Sequence, residues 1–111
     1  VLEHGGWRIG VMGLIEEEWL LTLSTIERDE VDYFDYVPVA RRLNAQLRSQ
    51  GADIVIALTH MRNPNDQRLA REVPELDLIL GGHDHEVYHE VVNGVPIIKS
   101  GTDFRHLTRI V

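Results

Sequence analysis

Three imidazoles fall where a strand hands over to a loop. His60 ends the apolar run Asp53 to His60 (DIVIALTH), and His83 and His85 follow the run Leu76 to Leu80 (LDLIL) through Gly81-Gly82. In open parallel α/β sheets, ligands gather outside the carboxyl ends of the strands, so all three side chains would meet on one rim. Residues two apart in an extended loop point the same way, and two glycines let the backbone turn tightly beneath an ion. Neutral imidazole is the usual ligand for Zn, Mn or Fe where sulfur is absent, and here there is no cysteine. Each histidine taken singly reads as a surface or capping residue; convergence is what favours a metal site.

The remaining histidines carry no such pattern. His4 falls in a loop, His89 beside a hairpin and His106 before a last strand, so solvated roles are expected. Asp84, between two candidate ligands, is either a turn residue or a carboxylate holding a ligand's proton. Asn63 and Asp66 are expected to cap a short helix. A Ser100, Asp103, His106 triad is conceivable, but no nucleophile elbow surrounds Ser100.

The elements that must position the rim are legible from period and punctuation. Arg8 to Ile15 reads as a buried strand leaving into a solvated acidic triplet, Glu16 to Glu18. In Asp35 to Gln50, Val39, Leu43 and Leu47 recur every four residues, with Asp35 as cap, Pro38 in the first turn and Gly51 past the end. That is an amphipathic helix. Asp53 to His60 is apolar on both alternating faces, which calls for layers above and below it. Asp66 to Val73 makes a short helix stopped before Pro74, and Leu76 to Leu80 another inner strand. Glu90 to Lys99 reads as a hairpin turning at Asn93-Gly94, with Pro96 placing its second strand at an edge or a bulge. Leu107 to Val111 would add one more strand. The fold class is therefore α/β, a layered domain with a mixed sheet.

Length and composition bound the rest. A chain of 111 residues fits one domain, 1–111, with room for a core. Net charge is -7 and no basic cluster is denser than Arg41-Arg42, which argues against nucleic acid as a partner. No apolar run approaches the ~18 residues of a membrane span. The sequence begins at Val1 with neither Met nor a targeting segment, so it reads as a piece of a longer chain.

The segments Ala57-Leu58-Thr59-His60-Met61 and Gly81-Gly82-His83-Asp84-His85, with Leu69-Ala70-Arg71-Glu72-Val73-Pro74 between them, resemble the second half of the calcineurin-like metallophosphoesterases, most closely the 5′-nucleotidase branch. The resemblance covers nearly the whole chain, from Trp7–Ile15 to Val95–Gly101. It implies half of an αββα sandwich with two divalent metals, Mn, Zn, Fe or Co, on the shared rim. It further implies that His60 and His83 ligate one metal and His85 the other, and that the complete enzyme hydrolyses phosphate esters of nucleotides. It leans towards an exported or cell-surface enzyme. The Asp-x-His, Gly-Asp-x-x-Asp and Gly-Asn-His motifs that the family places earlier do not occur in these residues. The expectations are therefore weak metal binding, no turnover by the isolated chain, and a homo-oligomer covering the sheet face that the other half would cover. The alternative is a non-catalytic module that binds metal or phosphate.

Overall fold

A computed structural model describes residues 1–111. The elements in chain order are β1 (Leu2–His4), β2 (Trp7–Ile15), α1 (Glu17–Leu20), a 3-10 turn (Arg28–Glu30), α2 (Tyr36–Ser49), β3 (Ile54–His60), α3 (Asn63–Glu72), β4 (Leu78–Gly81), β5 (Val87–Val92) and β6 (Val95–Ser100). The strands form one mixed sheet in the order β1-β2-β3-β4-β6-β5. Its four inner strands run parallel, and an antiparallel strand closes each edge. The layered α/β architecture with a mixed sheet is as the sequence implies.

The core follows from register. Met12, Ala57, Ile79 and Ile97 stand opposite one another across the four parallel strands, and all are buried. Onto this row pack Val37 and Ala40 of α2 and Leu69, Ala70 and Val73 at α3. Fully burying an aliphatic side chain of Val or Ile size contributes about 1.5–3 kcal/mol. Helix α2 starts where Asp35 accepts a hydrogen bond from Val37 N (3.1 Å) and ends at Gly51, whose φ of +84° suits glycine. Its most buried stripe is Tyr36, Val37, Ala40 and Asn44; Val39, Leu43 and Leu47 flank it, half-buried.

Several expectations change. Helix α3 begins at Asn63 rather than Asp66, because Pro64 has the right φ for a first turn and no N–H to lose there. Neither Asn63 nor Asp66 caps it: Asn63 Oδ1 is buried without a partner and Asp66 is wholly buried, facing the sheet. Strand β6 is not at an edge. In a hairpin closed by two residues, Val92 and Val95 exchange hydrogen bonds, so Pro96, opposite Val91, turns its nitrogen towards β4. Pairing with β4 starts only at Ile97, so no ladder bond is lost. His4 ends strand β1 opposite Trp7 and is exposed; the hairpin turns at Gly5 and Gly6, with φ +56° and +84°. Residues 107–111 form no strand; Thr108–Val111 instead line the cleft on the uncovered sheet face. Finally, helices cover one sheet face only. On the other, Leu58 is 46% exposed, and an apolar cleft of about 920 Å³ is lined by Ile54, Ile56, Leu78 and Ile98 with Thr108–Val111 along it.

Candidate metal centre

Parallel pairing of β3 with β4 sets Thr59 opposite Gly81, so both strands end together. His60 closes the first strand and the loop from Gly82 to His85 leaves the second. Gly82 N donates to the Thr59 carbonyl (3.0 Å), laying that loop against the end of β3. The His60 and His83 rings consequently meet edge to face, with centroids 5.1 Å apart and planes at 88°. Trp19 of α1 also lies 5.1 Å from the His60 ring. Burial, and next to it the neighbouring His83, lower the His60 pKa below the ordinary histidine value, which favours the neutral, ligating form.

The turn is not made by the glycines. His83 and His85 themselves hold left-handed backbone, with φ +76° and +58°, each at a cost of about 1–2 kcal/mol. Gly81 serves a different purpose: a Cβ there would stand 2.7 Å from Lys99 Cε and 3.1 Å from Asp66 Oδ2. Asp84 is both a turn residue and a tether. Its Oδ2 accepts from Asn63 N (3.0 Å) and from the Lys99 ammonium.

Beneath the rim, polar groups that the sequence reading missed replace the core. Asp66 Oδ1 accepts from Thr59 Oγ1 (2.6 Å), and its Oδ2 sits 2.8 Å from Lys99 Nζ, an ion-pair contact outside hydrogen-bond alignment. Burial raises the Asp66 pKa despite this pairing. The acidic triplet is also not wholly solvated. Glu16 is 1% exposed and accepts from Arg62 N (3.1 Å), Arg62 Nε (2.8 Å) and Asn65. Burial pushes its carboxyl up, but the Asn65 and Arg62 hydrogen bonds outweigh it and the pKa is lowered. A signal did exist for two of these. Lys99 is the next inward position after Val95 and Ile97, and Asp66 lies on the stripe of Leu69, Ala70 and Val73.

Two imidazoles sharing one ion at metal–nitrogen distances of about 2.0–2.1 Å have ring centres roughly 5 Å apart, and the His60 and His83 rings stand at that spacing. His85 is exposed, and no three His, Asp or Glu side chains converge as a complete ligand set. The triad reading does not assemble. Ser100 Oγ pairs with Thr108 Oγ1 (2.8 Å) and Asp103 with Arg105 (3.7 Å).

No protein-family model matches the chain. Curated proteins do. The chain is 27% identical over 85 residues to a probable 5′-nucleotidase of Treponema pallidum (strain Nichols), and 32% identical over 87 residues to an apyrase of Tabanus yao. It is 32% identical over 96 residues to the trifunctional nucleotide phosphoesterase protein YfkN of Bacillus subtilis (strain 168). The curated proteins it is similar to are 5′-nucleotidases, apyrases and metallophosphoesterases. These matches take in 77%, 77% and 84% of this chain but only 14%, 15% and 6% of the relatives, so it spans a short stretch of their length.

Proposed function

We propose that His60, His83 and His85 are metal ligands of a phosphoesterase site that acts on nucleotides, with His60 and His83 sharing one ion and His85 contributing to a second. The observation that carries this reading is that His60 and His83 stand with ring centroids 5.1 Å apart at the ends of adjacent parallel strands. A divalent ion at such a rim supplies a Lewis acid for a phosphoryl oxygen. The residues of this chain hold and orient: α1 sets Trp19 beside His60, and Asp84 anchors the loop between the other two histidines. The 111 residues lack the further ligands that two ions need, so the isolated chain binds metal weakly and turns over no phosphate ester. The open apolar sheet face is covered by a second copy in solution.

Titration with Mn²⁺ or Zn²⁺, followed by Trp19 fluorescence against a Trp19→Phe control, tests the site. Saturable quenching is expected in the parent chain, and its loss in His60→Ala and in His83→Ala. Unchanged uptake when both are replaced overturns the assignment. Phosphate release from a nucleoside monophosphate by the purified chain would overturn the claim of inactivity. Binding by a longer parent protein without hydrolysis would favour a metal- or phosphate-binding module, for which the incomplete ligand set speaks.

A further inference from the structure

Lys99 is a buried cation that the metal rim does not use directly. It is 2% exposed, the largest of the fully buried side chains, and reaches upward from the third inward position of β6. Its Nζ donates to the Met61 carbonyl (2.8 Å), lies 2.8 Å from Asp66 Oδ2 and bonds Asp84 Oδ2. Met61 follows His60 directly, and Asp84 separates His83 from His85. One ammonium therefore holds both histidine-bearing loops. The same Asp84 oxygen accepts from Asn63 N (3.0 Å), which ties the first turn of α3 into the clasp.

The loop needs such a hold. Two left-handed histidines on either side of one residue persist only where the surroundings over-determine them. Nothing in the loop's own sequence supplies this, because the glycines are not the residues in left-handed backbone. Burying an ammonium is itself costly unless it is paired and hydrogen-bonded, and here two carboxylates and a carbonyl meet it. Space for it exists only because position 81 lacks a Cβ.

We infer that Lys99 is a positioning residue of the rim, acting through Asp84 and the Met61 carbonyl to set His83 against His60. Its consequence for metal rests on the ligand assignment above; its geometric part does not. Outer partners of metal ligands that are removed typically cost 10–100-fold in affinity.

The test uses Lys99→Met and Asp84→Ala. The second variant removes the tie to the loop while leaving the pairing of Lys99 with Asp66, so it decides the matter if Lys99→Met does not fold. In the metal-free chain, NMR should show a cross-peak between the His60 and His83 rings. Both folded variants should lose it, with shifted amides at residues 82–85 and unchanged amides in β2 and α2. Zn²⁺ uptake should weaken about tenfold or more. A folded Asp84→Ala that keeps the ring contact and the parent affinity overturns the inference, as does absence of that contact in the parent. If the parent takes up no Zn²⁺, the ligand assignment fails alone, and the ring contact still decides the role of Lys99.

Discussion

Asp35 has a double duty that pH separates. One carboxylate oxygen caps α2 through Val37 N, and the other takes a 2.9 Å bond from Arg68 of α3. The Arg68 hydrogen bond lowers its pKa below the usual aspartate value of about 3.9. A folded-state pKa below the unfolded one stabilises above the unfolded value and loses that contribution as pH falls through the folded one. Asp35→Ala should cost about 1 kcal/mol at pH 7, the usual worth of an N-cap, with a smaller deficit at pH 3. Urea unfolding at both values checks this; an equal deficit at each would show that charge plays no part. His85 gives a second residue-scale expectation. His85→Val should lower stability by about 1–3 kcal/mol, because a β-branched residue tolerates left-handed backbone poorly, whereas His85→Gly should not. Equal melting temperatures for the two variants would contradict the strain assigned to this loop. At this scale the sequence singled out His60, His83 and His85 as candidate ligands but not how the backbone presents them, since residue type does not encode a left-handed histidine.

The joint between α2 and β2 rests on a missing side chain. A Cβ at Gly10 would stand 3.0 Å from Leu47 Cβ and 3.1 Å from Ala52 Cβ, so helix and strand are in contact there without room to spare. Gly10→Ala should destabilise by about 1–3 kcal/mol through overpacking, while Gly13→Ala, where a Cβ meets nothing within 4 Å, should not. Calorimetry of the pair checks this, and equal stability of both would refute the tight joint. Elements of this kind were legible in the sequence where period and punctuation agreed. Asp35, the four-residue spacing and Gly51 delimited α2, and Asn93-Gly94 fixed the hairpin. Elements decided by partners were not. The chemistry of residues 107–111 suits a strand, but Thr108–Val111 lie along the uncovered sheet face instead of pairing at an edge. Asp66 read as a helix cap and Lys99 as the end of the hairpin, because the pairing that buries both joins residues far apart in the chain.

At the scale of the molecule, the apolar pattern of β3 demanded cover on two faces and the chain supplies it on one. Self-association through the open face should appear in light scattering as a mass above that of one 12.7 kDa chain. Leu58→Glu, placed in the middle of that face, should restore the monomer; a monomer in the parent at high concentration would sink this expectation. No helix is long and apolar enough to cross a membrane. The sheet's register carries a further consequence. Pairing β2 with β3 brings Ile9 to Ile54, whereas β4 with β6 joins Ile79 to Ile97 and the β5–β6 hairpin closes over two residues. Closing the shorter loops costs less chain entropy, and local contacts form first. The histidine-bearing half should therefore assemble as its own kinetic unit, with β2 and its hairpin docking later, and pulsed hydrogen exchange during refolding should protect β4, β5 and β6 before β2.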